Sequence, residues 1–245
     1  MINIIIAENL INDYCGQHNQ FVQQNVHIGR RTMDTLIGKN EQYGFGPIPL
    51  FLKNQIQQKN THLIFFRDSY KLEDQMQQEH LERLGEHCIQ GTPGEKFPDI
   101  FHSVVSKSTV LDCASLSFPL KPFQEFMIRH TGLDPVNAPE KNSLANIRFL
   151  LMGFHTERRV LATANTLRNL FQFPQVAVFS HFLASFNKEQ HFTSLRYQYP
   201  DSLIQVLNNV SELESYLQGD LSCLHPFHLA GGQYQPQIHQ GSVDS

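Results

Sequence analysis

Apolar residues along this chain come in short runs that stay apolar at successive positions. These runs predict strands at residues 2–7, 61–66, 101–106, 146–153, 175–180 and 202–207. A strand with one face in water alternates apolar and polar residues, whereas a continuous run is typical of a strand covered on both faces. The pattern therefore favours a parallel sheet between two layers of helices.

Segments with apolar residues three or four positions apart separate these runs. They predict helices at residues 48–58, 120–130, 157–171 and 211–217. Strands and helices in alternation form right-handed βαβ units. We therefore predict an α/β fold with a doubly wound, mostly parallel sheet, in a Rossmann-like three-layer α/β/α architecture. In such folds, ligands bind at the carboxyl ends of the strands.

Two polar segments interrupt this order. Residues 15–47 are long for a first connection, and we predict that they form an insertion or a lid. Residues 219–245 contain few apolar side chains and predict a flexible C-terminal tail. The remaining length suits one domain, which we assign to residues 1–218.

The amino-acid composition restricts the classes of binding partner and the cellular compartment that we expect. The formal net charge is −4 and no run of Lys and Arg occurs, which argues against nucleic acid and membrane surfaces as partners. The first apolar run has no basic segment before it and none is long enough to span a bilayer, so we predict no signal peptide or membrane helix. The cysteines are scattered, as in reduced proteins: Cys15, Cys88, Cys113 and Cys223. We expect a cytoplasmic protein, or one delivered into the cytosol of another cell.

Short motifs follow three of the predicted strands. They read ENLINDYC after the first strand, VVSKS after the third and GFHTERRV after the fourth, with FFRDSY and EHCIQGTPGEKFPD between the first two motifs. In this order they resemble the isochorismatase-like, or cysteine hydrolase, superfamily, which includes nicotinamidases. The resemblance extends from about Ile4 to Leu217. It implies a hydrolase of amide or vinyl-ether bonds and a homo-oligomer.

One motif is the most specific part of this resemblance, and a second follows the frame of the superfamily. HCIQGTPGEKF resembles the nicotinamidase-type segment H-C-x-x-G-T-P-G, and GFHTERRVLATA follows the frame G-x-x-T-D-x-C-V-x-x-T-A. In the superfamily a cysteine thiolate attacks a carbonyl carbon, while an aspartate moves the proton and a lysine stabilises charge. The frame therefore locates each of these three positions in this chain.

The catalytic positions depart from the superfamily pattern. The cysteine position is Arg159, and the aspartate position is Asn9 when the register is fixed by N-D-Y at residues 12–14. An asparagine does not titrate and cannot act as a general base. The lysine is retained, as Lys107. The resemblance therefore implies a non-catalytic or strongly altered member rather than a cysteine hydrolase.

The resemblance also implies roles for residues around these positions. Asp68 and His87 match two metal-binding positions of nicotinamidases, but the third is Tyr70. Since two ligands make a poor transition-metal site, we predict no metal and no other cofactor. Tyr14 is expected to line the pocket. The oxyanion hole is expected from the backbone amides of His155 and Arg159, next to a cis peptide bond between Phe154 and His155.

An arginine at a helix N-terminus needs a compensating negative charge, because the unpaired N–H groups there already carry partial positive charge. One interpretation is that Arg159 and Lys107 bind a small anionic or amide-like ligand in the emptied pocket. Another is an internal ion pair with Asp13, Glu157 or Asp68. In that case a protein partner becomes the alternative to a ligand. Arg158 is expected to be a solvated surface charge.

A second hypothesis retains catalysis. Isochorismatase-type members lack the cysteine and cleave a vinyl ether with an acidic residue as general acid. Glu8 would take that role, with Lys107 and Arg159 binding the substrate carboxylates. This requires the first strand to shift by one residue, which would turn its side chains to the opposite face. The motif at residues 12–14 opposes the shift, so we rank this hypothesis second.

Overall fold

A central parallel sheet organises the molecule. The computed structural model describes residues 1–40, 44–114, 117–137 and 144–220. In these residues six strands form the sheet: β1 (Ile2–Glu8), β4 (Thr61–Asp68), β5 (Thr109–Cys113), β6 (Ile147–Phe154), β7 (Gln175–Ala184) and β8 (Gln205–Leu207). They form one parallel sheet in the order β5-β4-β1-β6-β7-β8, and β2 (Gly38–Asn40) and β3 (Gly44–Phe45) form a separate hairpin. The predicted doubly wound α/β fold is confirmed.

Helices cover both faces of the sheet. They are α1 (Asn12–Cys15), α2 (Asn19–Val22), α3 (Arg30–Leu36), α4 (Pro47–Gln55), α5 (Gln75–Leu84), α6 (His102–Val105), α7 (Leu120–Thr131), α8 (Leu161–Asn165), α9 (Lys188–Thr193), α10 (Tyr199–Asp201) and α11 (Val210–Gln218). Helix α8 lies between two π-helical segments, Thr156–Val160 and Thr166–Leu170. The predicted helix at 157–171 therefore exists, with wider turns at both ends.

Each face of the sheet has its own apolar core. Along β1, Ile4 and Ile6 belong to one core, while Ile5 and Ala7 belong to the other. Because both faces are buried, the strand is apolar at every position, which explains the continuous runs in the sequence. Glu8 continues the alternation of β1 beyond Ile6, and the chain then turns at Asn9.

The predicted strand at 101–106 is wrong. Residues Asp99–Phe101 form a 3₁₀ turn, α6 follows directly, and the strand is β5 at Thr109–Cys113. Within FHSVVS, the buried residues Phe101 and Val104 are three positions apart, which is helical spacing. The run was too short for its apolar content alone to distinguish helix from strand.

The remaining boundaries differ by a few residues. Strand β8 begins at Gln205 rather than at residue 202, because a turn with a positive φ angle at Leu203 precedes it. The segment predicted as an insertion or lid begins at the last residue of α1 and contains α2, α3 and the hairpin; its residues 41–43 lie outside the described residues. Most of the predicted tail, residues 221–245, lies outside the described residues. In the described part of the chain, no helix is long and apolar enough to cross a membrane.

Strands β1 and β6 meet at the position where the strand order reverses. Gly153 on β6 pairs with Glu8 on β1 and has a φ angle of 110°. A β-carbon at Gly153 would overlap the Glu8 carbonyl oxygen. Glycine is therefore required there for the two strands to approach each other. Ligands of doubly wound sheets bind beside this reversal, at the carboxyl ends of the strands.

Candidate functional site

Four residues predicted from the sequence meet at the carboxyl ends of the parallel strands. Asn9 follows β1, Asp68 ends β4, His155 follows β6, and Arg159 lies in the π-helical turn before α8. All four are buried. Because the strands are parallel and adjacent, their ends bring these residues together although up to 150 positions separate them in sequence.

Asp68 is the centre of a hydrogen-bond network. Its Oδ1 accepts from Arg159 Nη2 at 2.8 Å and from Arg159 Nε at 3.2 Å. Its Oδ2 accepts from the Tyr14 hydroxyl at 2.7 Å and from Asn9 Nδ2 at 2.9 Å. The Asp68 backbone N–H donates to Asn9 Oδ1 at 2.8 Å. Both oxygens of this carboxylate are therefore fully used by the protein itself.

The charge of Arg159 is compensated inside the protein. Besides its two bonds to Asp68, Nη1 donates to the Ser117 carbonyl at 2.9 Å. Burial alone would lower the pKa of Arg159, but the Asp68 carboxylate raises it above its ordinary value. The internal ion pair considered for Arg159 is thus formed, and of the three carboxylates named for it, Asp68 is the partner.

Glu8 lies behind this ion pair. Its Oε2 is 3.8 Å from Arg159 Nε, and neither carboxyl oxygen has a hydrogen-bond partner of ordinary geometry among the described residues. Burial raises the pKa of Glu8 to about 8, although Arg159 and the Thr163 hydroxyl act in the opposite direction. Glu8 is therefore mostly protonated at neutral pH, and Arg159 keeps Asp68 as its main partner.

The predicted lysine does not join the site. Lys107 lies in the exposed turn between α6 and β5, at the amino end of that strand. The residue at the carboxyl end of β5 is Cys113, whose pKa burial raises and Arg159 lowers to a smaller extent. The placement of Lys107 at the strand end was wrong because it depended on the mistaken strand at 101–106.

Aromatic and histidine rings form a wall beside the network. The Tyr14 ring contacts the rings of His155 and His87, with centroids 4.9 and 6.1 Å apart. The His80 ring lies 5.1 Å from Tyr70 and 5.2 Å from His87. Burial lowers the pKa of His80 to about 4 and that of His155 to about 3, so both rings are neutral at pH 7.

Several polar atoms in this wall lack partners. Neither ring nitrogen of His155, nor Nε2 of His80 or His87, has a hydrogen-bond partner of ordinary geometry in the described residues. His87 Nδ1 is bonded to the Gly85 carbonyl at 2.7 Å. Because buried polar atoms are nearly always bonded, these nitrogens indicate a place for water or a ligand.

A cavity opens in front of His80 and His155, whereas His87, predicted as a binding residue, does not line it. About 100 Å³ of it is open to the centre of a water molecule, which is room for roughly seven to ten water-sized groups. Its lining includes the four buried residues at the strand ends, together with Tyr14, Val26, Tyr70, His80, Arg83, Leu84, Arg158 and Phe186. Glu8 and Phe154 do not line it, although the peptide bond that joins Phe154 to His155 is cis.

Solved structures share this architecture. Neither a protein-family model nor a curated protein matches the sequence. A nicotinamidase/pyrazinamidase from Bacillus subtilis is 19% identical with a TM-score of 0.61, covering 85% of this chain and 100% of that one. An isochorismatase-like hydrolase from Alkaliphilus metalliredigens is 16% identical with a TM-score of 0.61, covering 89% and 99%. The chain has the isochorismatase-like fold. At these identities the likeness concerns the fold alone.

One structure with the isochorismatase-like fold is described with a metal. Pyrazinamidase of Pyrococcus horikoshii, in complex with zinc, is 16% identical with a TM-score of 0.55, covering 85% of this chain and all of that one. In the present chain Tyr70 replaces one ligand expected from the resemblance, and both Asp68 oxygens are already bonded to protein groups. Among the described residues, no three His, Cys, Asp or Glu side chains are arranged to hold a metal ion. The residues present do not fit a zinc site.

Sequence reasoning missed part of the cavity. His80 and Arg83 lie on α5, and Phe186 follows β7. None of these residues belongs to a motif, so only the fold brings them to the site. Arg158, expected to be solvated, is half-buried and lies over the Phe186 ring with its guanidinium carbon 5.5 Å from the ring centroid.

Proposed function

We propose that this chain is a non-catalytic protein with the isochorismatase-like fold, and that its cavity binds a small anionic ligand. The observation that carries the proposal is the contact between Arg159 and Asp68. At the position where the resemblance expects a nucleophilic cysteine, an arginine lies buried and bonded to a carboxylate. Arginine stays protonated and has no lone pair to attack a carbonyl carbon.

Among the described residues, no cysteine is suited to replace the thiolate. Cys15, Cys88 and Cys113 are buried, and burial raises the pKa of each thiol. A thiol must ionise to be a good nucleophile, so these cysteines are inert. Asn9, at the proton-shuttle position, has both ends of its amide bonded to Asp68.

The charges that line the cavity support an anionic ligand. Asp68 is the carboxylate in the lining, and Arg159 neutralises it. Two further arginines, Arg83 and Arg158, line the same cavity. Within the described residues, neither is within ion-pair distance of a carboxylate. The cavity therefore carries excess positive charge, which favours an oxyanion.

A thermal-shift experiment tests the binding part of the proposal. The chain would be heated with and without small carboxylates, phosphates and uncharged amides, since a ligand that binds only the folded state raises the melting temperature. We expect anions to raise it and the uncharged amides to leave it unchanged. A panel in which only neutral amides stabilise the chain would contradict the proposal.

The vinyl-ether hypothesis has one observation in its favour. The raised pKa of Glu8 keeps a proton on this carboxyl group at neutral pH, as a general acid requires. However, Glu8 does not line the cavity, and Lys107 lies at the amino ends of the strands, whereas the cavity is at their carboxyl ends. We therefore rank the hypothesis second. It predicts that the parent chain cleaves isochorismate-like enol ethers and that Glu8→Gln abolishes the activity. A parent chain without this activity would exclude it.

A further inference from the structure

The exposure of the lining residues distinguishes the mouth of the cavity from its interior. Arg83 is exposed, Arg158 is half-buried and Phe186 is 38% exposed, so these side chains form the mouth. His155 is only 4% exposed, and the Nε2 atom of His80 is inaccessible, so these groups face the interior. A ligand therefore meets different chemistry at its two ends.

The mouth is suited to an oxyanion. Arg83 comes from α5 and Arg158 from the turn before α8, so the two guanidinium groups approach the cavity from different elements. The Arg158 guanidinium lies over the Phe186 ring, 5.5 Å from its centroid, within the range of a cation–π contact. A guanidinium group offers paired N–H donors that match the two oxygens of a carboxylate.

The interior is suited to an uncharged polar group. Among the described residues, neither ring nitrogen of His155 has a hydrogen-bond partner of ordinary geometry, although the Val26 backbone lies near enough to act on the ring. In its neutral form the ring has one N–H donor and one acceptor. His80 Nε2 adds a further unpartnered site. A charged group placed against these neutral rings would lose its hydration without an opposite charge to replace it. The Tyr14 and Phe186 rings contact the His155 ring edge-to-face, with centroids 4.9 and 4.8 Å from its own.

We infer that the cavity binds a small organic molecule with a single anionic group in one orientation, with its uncharged hydrogen-bonding end against His155 and His80 and its anionic end between Arg83 and Arg158. This inference rests on the proposed anion binding and adds the ligand class. The volume of about 100 Å³ suits a small ligand. Carboxylates and phosphate esters share this chemistry, and the experiment distinguishes them.

Three probes of nearly equal shape test the inference on the parent chain. Succinamate has one carboxylate and one amide, succinate has two carboxylates, and succinamide has two amides. Titration calorimetry at pH 7 is expected to give the tightest binding for succinamate, by about tenfold or more over both others. Glycerol phosphate is the phosphate arm of the same experiment, since it has a phosphate at one end and hydroxyl groups at the other. Binding of succinate or succinamide as tight as that of succinamate would overturn the inference.

Two variants test which end of the ligand Arg158 and His155 each bind. Arg158→Gln removes a charge from the mouth and is expected to weaken succinamate binding about 10- to 100-fold. His155→Phe keeps the ring contacts and removes both nitrogens. It is expected to weaken succinamate but not butyrate, which has the carboxylate and an apolar end. The control is Arg129→Gln, because Arg129 is exposed in the last turn of α7 and does not line the cavity.

The outcomes separate this inference from the proposed function. If anions bind but Arg158→Gln and His155→Phe leave their affinity unchanged, the orientation is wrong while anion binding stands. If His155→Phe weakens succinamate and butyrate equally, the interior does not recognise the uncharged end. If no anion binds the parent chain, both the proposed function and this inference fail. Where His155→Phe does not fold, the probe series on the parent and Arg158→Gln still decides the matter.

Discussion

Asp68→Asn tests whether the buried ion pair holds the site together. The substitution keeps the size of the side chain but removes the charge that faces Arg159. In the native protein, the carboxylate accepts bonds from two atoms of Arg159 and from Tyr14 and Asn9. Removing one partner of a buried ion pair leaves the other charge uncompensated, which costs about 3–5 kcal/mol. This is a large fraction of the roughly 5–15 kcal/mol that stabilises a typical domain.

The chain provides a matched control beside this pair. Arg67 and Asp112 form an ion pair with a distance of 2.7 Å between Nη2 and Oδ1, but their side chains are 21% and 49% exposed. Water screens this pair, so Asp112→Asn is expected to cost less than about 1 kcal/mol. Urea unfolding at pH 7, monitored by circular dichroism, would give the free energy of unfolding for each variant.

A double variant measures the coupling directly. Arg159→Met removes the cation, and in combination with Asp68→Asn no buried charge of the pair remains. The double variant is expected to lose about 2–3 kcal/mol less than the sum of the two single variants, because the second change removes a group that has already lost its partner. A loss below about 1 kcal/mol for Asp68→Asn, or single effects that simply add, would refute this reasoning.

Three further substitutions have expected outcomes. Burial raises the pKa of Glu8 from its ordinary value to about 8 in the folded protein. The stabilisation that protonated Glu8 gives to the folded state is therefore fully present below the pKa of the unfolded chain, and it is lost as the pH rises toward 8. Urea unfolding at pH 5, 7 and 9 should therefore show a smaller loss with rising pH in Glu8→Gln, and parallel curves would contradict this. Gly94→Ala would place a β-carbon against the Asp13 carboxylate and is expected to cost about 1–3 kcal/mol in the same assay, while an unchanged midpoint would show that the loop can yield. Tyr14→Phe removes the 2.7 Å hydrogen bond to Asp68 and should lower the free energy of unfolding by about 1.5–3 kcal/mol. A urea midpoint equal to that of the parent would contradict this.

The apolar pattern was sufficient to predict the fold class. Strand β1 is predicted at 2–7 and found at Ile2–Glu8, since burial on both faces makes every position apolar. The pattern failed for FHSVVS, where six residues fit a helix turn as well as a strand. This error displaced Lys107 from the predicted site, because the position of a side chain at a strand end depends on where the strand ends.

The candidate site was predicted only where motifs occur. Asn9, Asp68 and Arg159 belong to motifs, and the structure brings them into one hydrogen-bond network. Nothing in the sequence stated which carboxylate would pair with Arg159, since that depends on the spacing of the strand ends. His80 and Arg83 were missed because a helix face carries no local signal for the cavity that it borders.

Ammonia release from nicotinamide tests the central claim most directly. The purified chain would be incubated with nicotinamide, with the nicotinamidase from Bacillus subtilis in parallel to show that the assay detects turnover. The account predicts a rate equal to that of the buffer blank, because an arginine bonded to Asp68 lies where a nucleophile is expected. Ammonia release that rises in proportion to the concentration of the chain would contradict it.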